Sequence, residues 1–396
     1  MAKTIELYYE NAYLSEFDAR VLSCEEGKNG NFFVVLDRTA FFPEQGGQSS
    51  DVGILKDTEG TDIRVLHTSI SDGVITHTCD GRLAPDTKVT GRIDWDKRFS
   101  NMQQHTGEHI FSGLVHSRFG YENVGFHLSD NEVTMDYNGP LSEGDILDLE
   151  MSVNRAIWKN LEVKCEFPDK DELEKLDYRS KKELSGDIRI VTVPGYDVCA
   201  CCAPHVSRTG EIGTLKVISC QSYKGGVRVS ILCGERALLF TRDRQRIVEE
   251  LVGIFTTSSD RITAAVQKLS DENSALKRRV SDLSQQLMEY ELSKIDSALE
   301  DVFIVREEDI DGNLMRKMVT LLSEGHSGFN GVFAGNNNSG YKYIIAKGSG
   351  EKDLKALQGG LSQRFGAKGG GSGKMIQGSI RNAQIEEVLT FCREYV

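Results

Sequence analysis

The chain has 396 residues, of which 39% are hydrophobic and 27% are charged, and its net charge is -13. This length predicts two to four domains, each large enough to bury a core. The acidic balance does not favour the broad basic surface by which proteins hold duplex DNA, so we expect no DNA partner. Local basic patches remain compatible with the total charge.

Neither a membrane span nor an export signal is evident. No apolar run approaches the ~20 residues that a membrane helix needs, and residues 1–7 lack the apolar stretch of a signal peptide. We therefore expect a soluble, cytoplasmic protein with no membrane partner. The nine cysteines do not favour a disulfide framework. Three of them, Cys199, Cys201 and Cys202, lie within four positions, which indicates chemistry rather than packing.

The first two segments together predict an α+β fold. Residues 1–92 predict a small β-barrel, because short apolar runs such as Phe32–Leu36 and Ile63–Leu66 alternate with polar turns. Residues 93–236 predict a mixed domain. Two stretches have apolar residues at helical spacing, and segments with a strand-like pattern lie between and after them. The predicted helices cover 97–118 and 142–160, and the predicted strands lie around 132–137, 161–166, 187–193 and 211–233.

Residues 237–300 predict a helical spacer. All six prolines lie at or before Pro204, and a stretch without proline permits long helices. A heptad runs over 262–290, with Leu at three d positions and Asn273 among β-branched residues at a. This pattern favours two parallel strands, with the asparagine fixing their register. We expect a homodimer through 262–290 and the C-terminal domain; a helical hairpin packed on its own chain is the alternative.

Residues 301–396 predict a final α/β domain. Val302–Val305 and Tyr343–Ala346 are predicted strands, and helices are expected near 352–364 and 383–395. The last 46 residues hold seven Lys/Arg and five Asp/Glu, a local net charge of +2.

A glycine-rich run, Gly366–Lys374, resembles a phosphate-binding loop but departs from its pattern. Lys368 stands where the first glycine should be, and Met375 stands where Ser or Thr should bind magnesium. A basic loop that touches a nucleic-acid backbone and a plain glycine-rich connection are the two remaining interpretations.

Two half-sites predict a metal centre. His105 and His109 are four residues apart on a predicted helix, where their imidazoles share one face, and Cys201 and His205 are also four apart. Three nitrogens and one sulfur make a tetrahedral set that suits Zn²⁺. Each half alone is weak, and Cys199 and Cys202 are alternative sulfur ligands.

A second motif, Thr39–Gln48, ends in Gly46-Gly47-Gln48. Paired glycines let a backbone approach a ligand closely, and glutamine brings both a donor and an acceptor. We therefore consider Thr39, Gly46, Gly47 and Gln48 as substrate-binding candidates. An ordinary turn is the alternative, and Gly-Gly-Gln also occurs on a mobile loop of peptide-chain release factors.

These motifs resemble a known family. The runs Ile93–Arg98, Met102–His109 and Cys201–Gly213 resemble the editing domain of alanyl-tRNA synthetase and its free-standing AlaX-type relatives. Phe41–Gln48 resembles the glycine-rich motif of the preceding barrel. The tail around 366–378 looks like the synthetase's C-terminal domain, which is related to the DHH-associated domain.

The resemblance implies a function. Family members hydrolyse tRNA(Ala) mischarged with serine, and sometimes glycine, and bind zinc through HxxxH and CxxxH. By position the implied ligands are His105, His109, Cys201 and His205. Residues 202–204 depart from the family's usual Gly-Gly-Thr, which affects the expected pocket wall. Only about 90 residues precede the editing domain, so we expect ATP-independent deacylation of tRNA without charging.

Ester hydrolysis needs an attacking water and charge relief for the tetrahedral intermediate. Glu108, beside a ligand, is a candidate catalytic base or partner of a ligand, whereas a solvated helical glutamate is the plain alternative. Four protein ligands normally make a zinc site structural. The rival functions are therefore a zinc-stabilised tRNA- or RNA-binding module without catalysis, and an amino-acid sensor.

Overall fold

The computed structural model describes residues 3–27, 30–130, 132–180, 187–307 and 310–395. The chain divides into two compact units, one up to Leu251 and one from Val252 onward. Among the described residues, no helix combines the length and the apolar character that crossing a membrane requires. The four-segment division (1–92, 93–236, 237–300 and 301–396) stays a prediction.

The first unit begins with the predicted barrel, which is confirmed. Its strands are β2 (Glu16–Glu26), β3 (Phe32–Leu36), β5 (Gly53–Asp57), β6 (Asp62–Ser71), β7 (Val74–Cys79) and β8 (Lys88–Ile93). They close in the order β2-β3-β7-β6-β5-β8, and each pairing is antiparallel. Phe17, Ala19 and Val21 alternate inward along β2, which gives the period of two that a half-buried strand requires. A short helix and a parallel strand pair flank the barrel: α1 (Leu7–Glu10), β1 (Ile5–Glu6) and β4 (Arg38–Thr39).

After the barrel, the first unit has the mixed α and β structure that the sequence predicts. Two helices, α2 (Trp95–Phe119) and α3 (Glu143–Trp158), pack with a four-stranded antiparallel sheet. That sheet has the order β14-β15-β10-β9 and consists of β9 (Asn123–Leu128), β10 (Val133–Tyr137), β14 (Leu215–Tyr223) and β15 (Gly226–Cys233). A smaller antiparallel sheet contains β11 (Lys164–Glu166), β12 (Ile190–Val193) and β13 (Asp197–Ala200). The remaining element before β12 is α4 (Lys170–Leu173).

The predicted strand region 211–233 contains a hairpin of two strands. Its first residues belong to a 3₁₀ turn, Thr209–Ile212, and β14 and β15 are joined at Lys224 and Gly225. Both joining residues have positive φ (45° and 84°), which is the geometry of the tight turn that matches the twist of paired strands. The reversal of the chain there places β15 next to β10 in the centre of the sheet.

Two long helices follow. The first is α5 (Gly234–Phe255), which spans the division between the units, and the second is α6 (Ile262–Leu292). The predicted heptad lies within α6. Its apolar a and d side chains are largely exposed in the single chain, from 45% for Val266 to 65% for Leu276.

The second unit contains a five-stranded sheet in the order β16-β17-β18-β20-β19, in which only β16 and β17 are parallel. Its strands are β16 (Val302–Arg306), β17 (Phe329–Asn336), β18 (Gly340–Lys347), β19 (Lys368–Gly371) and β20 (Met375–Ile380). Three helices accompany it: α7 (Gly312–Gly325), α8 (Leu354–Phe365) and α9 (Ile385–Glu394). The glycine-rich run Gly366–Lys374 therefore contains β19 and the turn that leads into β20. The sequence does not predict α7.

Candidate metal centre

The four side chains His105, His109, Cys201 and His205 bring their ligand atoms together in the first unit. These atoms all lie within 4.8 Å of one another. Cys201 Sγ is 3.6 Å from His105 Nε2 and 3.4 Å from His205 Nε2. With Zn–N and Zn–S bonds of ~2.1 and ~2.3 Å, tetrahedral coordination places a nitrogen and a sulfur ligand about 3.6 Å apart. The donor set and its spacing therefore fit zinc.

Hydrogen bonds at the opposite ring nitrogen fix the tautomer of two of the histidines. His105 Nδ1 donates to Gln48 Oε1 at 2.8 Å, and His109 Nδ1 donates to Asp197 Oδ2 at 2.9 Å. Both acceptors are oxygens without a proton, so Nδ1 carries the hydrogen in each ring. Each ring then keeps its Nε2 lone pair for the centre, as metal-ligating histidines require.

The third histidine has the same tautomer for a different reason. His205 Nδ1 lies 3.0 Å from Thr106 Oγ1, and that hydroxyl donates its own proton to Met102 O at 2.8 Å. The threonine oxygen can then only accept, so His205 Nδ1 is the donor. Thr106 follows the ligand His105 directly, so one turn of α2 both supplies a ligand and orients another.

An arginine supports the carboxylate behind His109. Arg179 donates through Nε to Asp197 Oδ1 at 2.7 Å and through Nη2 to Oδ2 at 3.0 Å. Burial raises the pKa of Asp197, but hydrogen bonds from His109 and Arg179 outweigh it and leave that pKa below its usual value. Burial conversely disfavours charged His109, yet its bond to Asp197 leaves its pKa raised. Asp197 is therefore an ionised acceptor.

A second group, His109, Asp197 and Cys199, also has closely spaced potential ligand atoms. Arg179 already contributes a positive charge to both oxygens of Asp197, and that charge opposes a cation there. Burial also raises the pKa of the Cys199 thiol. We therefore assign this group to the support of His109.

Helix α2 reaches these residues through a close approach at Gly113. A Cβ atom at that position would lie 2.2 Å from Tyr196 O and 2.8 Å from the Asp197 Cβ. Any other residue would push the helix away from the turn before β13. The glycine thus allows His109, one turn earlier, to meet Asp197.

The loop that carries Cys201 is held by Arg189. This buried side chain donates through Nη1 to the carbonyls of Cys201 (3.0 Å) and Ala203 (2.8 Å). Cys202 points to another neighbour, because a Cβ on Gly46 would lie 3.3 Å from its Sγ. Burial raises the pKa of the Cys202 thiol to about 12. Cys201 is therefore the sulfur that lies with the three histidines.

The glycine-rich motif docks on the edge of the four-stranded sheet. Leu128 N donates to Gly47 O at 2.8 Å, and Ser49 N donates to Leu128 O at 3.3 Å. Gly47 has a φ of +86°, and a Cβ there would lie 2.6 Å from Phe126 O. Only glycine combines this conformation with so close an approach. Docking brings the next residue, Gln48, against His105.

Gln48 is fully buried beside the centre. Its Oε1 accepts the bond from His105, and its Nε2 makes no hydrogen bond to any of the residues that the structure describes. A buried amide donor without a partner is costly, so this group is suited to bind a substrate atom.

Thr39 occupies a different environment, inside the barrel. His77 Nδ1 donates to Val34 O at 3.1 Å, so its Nε2 accepts from Thr39 Oγ1 at 2.9 Å. Thr39 Oγ1 also accepts from Phe41 N at 3.1 Å. The hydroxyl of Thr39 thus has two partners in the barrel, and neither belongs to the metal centre.

Glu108 is fully buried, so the alternative of a solvated helical glutamate is wrong. Its Oε1 accepts from Ser112 Oγ at 2.6 Å and from Asn123 Nδ2 at 2.7 Å. Ser112 Oγ also lies 2.8 Å from the hydroxyl of Tyr137. This polar network ties α2 to strands β9 and β10 next to the ligand His109.

A buried ion pair joins the barrel to α2. Arg98 Nε donates to Asp51 Oδ2 at 2.9 Å, and its Nη1 and Nη2 donate to Ala12 O at 2.9 Å and Ala40 O at 2.5 Å. Both charged side chains are fully buried. Asp51 follows Gln48 by three residues and Arg98 precedes His105 by seven, so the pair fixes the loop and the helix together.

Together these features define a class: a barrel joined to an α+β domain, with a His₃Cys centre of the kind that holds zinc. A family model described as tRNA synthetases class II (A) matches residues 3–97. A model described as the second additional domain of threonyl and alanyl tRNA synthetases matches residues 188–230, which include Cys201 and His205.

Among curated proteins, the chain is similar to alanine–tRNA ligases. It is 30% identical to that of Ignicoccus hospitalis over 81% of the chain and 36% of the ligase. The ligase of Methanothrix thermoacetophila is 29% identical over 96% of the chain and 43% of the ligase. The ligase of Korarchaeum cryptofilum is 28% identical over 98% of the chain and 44% of the ligase. The chain thus contains domains related to alanyl-tRNA synthetase and spans less than half the length of these relatives.

Proposed function

We propose that this protein is an AlaX-type trans-editing hydrolase that deacylates mischarged tRNA(Ala), with serine as its main amino acid and glycine as a second. The observation that carries the proposal is the convergence of three histidine Nε2 atoms and Cys201 Sγ beside the docked glycine-rich loop. The similarity to alanine–tRNA ligases supports tRNA(Ala) as the partner.

The reaction is an ester hydrolysis. Water adds to the ester carbonyl, the bond to the terminal ribose oxygen breaks, and the amino acid and uncharged tRNA are released. A zinc ion held by His105, His109, Cys201 and His205 would supply Lewis acidity for orienting the substrate or activating water. The chain's own part is to hold the imidazoles rigidly through Gln48, Asp197 and Thr106.

Gln48 also supplies a donor to the substrate in this proposal. Its buried Nε2 amide has no hydrogen-bond partner in the described part of the chain, and its Oε1 is fixed by His105. A site that hydrogen-bonds a substrate hydroxyl discriminates strongly against an analogue that lacks it. Gln48 is therefore our candidate for binding serine or the ester oxygen, while Gly46 and Gly47 shape the loop. We assign Thr39 a structural role in the barrel.

Glu108 acts in this proposal as a positioning residue for α2 rather than as the base. Its Oε1 is engaged by Ser112 and Asn123 within a buried network. Glu108→Gln keeps the shape and an acceptor oxygen but removes the charge. A base would lose the acidic limb of the pH–rate profile in this variant, whereas a positioning residue would change kcat without moving that limb.

The second unit offers a surface for the tRNA. A cleft of about 750 Å³ is lined by glycines of β19, by residues of β18 and β20, and by Arg316 of α7. Arg316 is exposed and donates to Gln377 Oε1 at 2.7 Å. Glycine backbone next to a guanidinium suits the close approach of a phosphate chain. We propose that this cleft contacts the RNA backbone.

We also propose that α6 pairs with α6 of a second copy.

A second candidate function is a zinc-stabilised RNA-binding module without catalysis. The number of ligands favours this function, because a zinc ion with four protein ligands normally has no open coordination position for water or substrate. Purified protein should be incubated with Ser-, Gly- and Ala-tRNA(Ala) in parallel. The editing proposal predicts that Ser-tRNA(Ala) is deacylated at least tenfold faster than Ala-tRNA(Ala), a difference of ~1.4 kcal/mol in activation free energy. Binding of all three without hydrolysis would support the module instead.

A further inference from the structure

A row of four aromatic rings runs from the core to the surface beside the metal-ligand loop. The ring centroids of Phe42 and Tyr8 are 5.3 Å apart, those of Tyr8 and Tyr9 are 4.6 Å apart, and those of Tyr9 and Phe167 are 5.4 Å apart. All three contacts are edge-to-face. Phe42 and Tyr8 are buried, Tyr9 is half-buried, and Phe167 is 49% exposed. We call these four residues the aromatic row.

The aromatic row is tied to the metal centre by Arg189. The guanidinium carbon of Arg189 lies 5.4 Å from the centroid of the Tyr9 ring. The same guanidinium donates to the carbonyls of Cys201 and Ala203. Tyr9 therefore lies alongside the loop that carries the sulfur ligand, and Phe167 packs against Tyr9 on its outer side.

This placement suits one part of an aminoacyl-tRNA. The amino acid is esterified to the ribose of the last nucleotide. When the ester is bound at the metal centre, the base of that nucleotide therefore lies no farther away than the length of one nucleotide. Unpaired bases bind proteins by stacking on aromatic rings, often beside an arginine. A half-exposed phenylalanine held against a packed tyrosine provides such a platform with little loss of side-chain freedom.

We propose that the outer aromatic row, Tyr9 and Phe167, is the subsite for the unpaired 3′-terminal nucleotides of the acceptor end. The inference rests on the proposed function, because it takes an aminoacyl-tRNA as the ligand. It names a contact that is independent of the amino acid and of the hydrolytic step. An uncharged RNA therefore tests it.

The experiment uses the full chain and two RNA hairpins that share one stem. One hairpin ends in a four-nucleotide single-stranded 3′ tail with 2-aminopurine at its last position, and the other is blunt. Stacking quenches 2-aminopurine fluorescence, and binding is followed by titration. We expect the wild-type protein to bind the tailed hairpin at least tenfold more tightly than the blunt one and to quench its fluorescence.

Substitutions at the surface of the row test the assignment. Phe167→Ala should weaken binding of the tailed hairpin about tenfold and abolish the quenching of 2-aminopurine fluorescence on binding. Binding of the blunt hairpin should not change. Phe167→Trp, which keeps a stacking ring, should retain both. Phe33→Ala is the matched control, since Phe33 is a similarly exposed phenylalanine (41%) on barrel strand β3.

Equal binding of the tailed hairpin by wild type and Phe167→Ala would overturn the proposal, and so would an absence of any gain from the tail in the wild type. The proposed function is judged separately. If the tail is stacked but Ser-tRNA(Ala) is not hydrolysed, the nucleotide subsite stands and the editing activity fails. If Ser-tRNA(Ala) is hydrolysed by Phe167→Ala with an unchanged KM, the activity stands and the subsite fails.

Discussion

Gln48 Oε1 accepts a hydrogen bond from His105 Nδ1 at 2.8 Å, which links the glycine-rich loop of the barrel directly to a predicted zinc ligand. The two residues are 57 positions apart and both are buried. The contact fixes the tautomer of His105 and leaves the glutamine's Nε2 without a partner among the described residues. One side chain therefore has two separable tasks, orienting a ligand and offering a donor.

Two substitutions of Gln48 should separate these tasks. Gln48→Glu keeps an acceptor for His105 but replaces the donor, so we expect zinc to be retained while Ser-tRNA(Ala) hydrolysis falls at least tenfold. Gln48→Leu removes both groups, and loss of a partner behind a metal ligand typically costs 10–100-fold in metal affinity or activity. Zinc content by elemental analysis and single-turnover rates measure the two effects. If both variants bind zinc and react like the wild type, Gln48 has neither task.

The buried pair of Arg98 and Asp51 should stabilise the first unit strongly. In Asp51→Asn the Arg98 charge stays buried without its counter-charge, and breaking a buried pair in this way costs about 3–5 kcal/mol. Unfolding in urea measures the loss. The exposed pair of Arg64 and Asp80, with N and O 2.7 Å apart, is the control, and Arg64→Ala should cost less than about 1 kcal/mol. Similar small losses for both would show that the buried pair does not hold the loop to the helix.

His77 should make the barrel sensitive to acid. Burial lowers its pKa from 6.5 to about 4. Between these two pH values His77 is therefore protonated in the unfolded chain but neutral in the folded chain. The contribution of neutral His77 to the free energy of unfolding is therefore fully present above pH 6.5. It falls by up to about 3 kcal/mol as the pH drops towards 4. Urea midpoints between pH 4 and 8 should show a steeper decline for wild type than for His77→Gln. Parallel declines would exclude His77 as the cause.

The exposed heptad of α6 should form the dimer. Leu276 is 65% exposed at a d position, so Leu276→Glu would place a charge in the predicted seam and should give a monomer in light scattering. Arg278→Glu, at the outward f position of the same helix, is the matched control and should stay dimeric. A dimeric Leu276→Glu protein would place the interface elsewhere.

The cleft in the second unit should contribute to tRNA affinity through charge. Arg316→Gln should weaken binding of all tRNAs by a similar factor and reduce the slope of log affinity against log salt by about one. The zinc content and the hydrolysis of saturating Ser-tRNA(Ala) should not change. An unaltered salt slope would indicate that the cleft does not touch the RNA backbone.

The sequence predicts elements well where a pattern is local. The barrel, helix α2, strand β10 and the heptad helix lie within a few residues of their predicted bounds. Helix α7 was missed although Met315, Met318, Val319 and Leu322 repeat at helical spacing and are all buried. That signal was present in the sequence.

The supporting contacts of the metal centre could not be predicted in the same way. Asp197, Arg179 and Thr106 are common residue types, and their contacts arise only when distant segments pack together. The sequence also leaves open whether Glu108 is solvated, whereas α2 is covered on nearly all sides over residues 101–115. A helix buried all round has no polar face from which exposure can be read.

Zinc dependence of Ser-tRNA(Ala) hydrolysis tests the central claim most directly. The rate should be measured on one preparation as purified, after removal of metal by a chelator, and after addition of one equivalent of Zn²⁺. We predict that hydrolysis is lost on removal and returns on addition, and that a Cys201→Ala protein recovers neither metal nor activity. An unchanged rate without metal, or no hydrolysis of Ser-tRNA(Ala) by the fully zinc-loaded protein, would contradict the account.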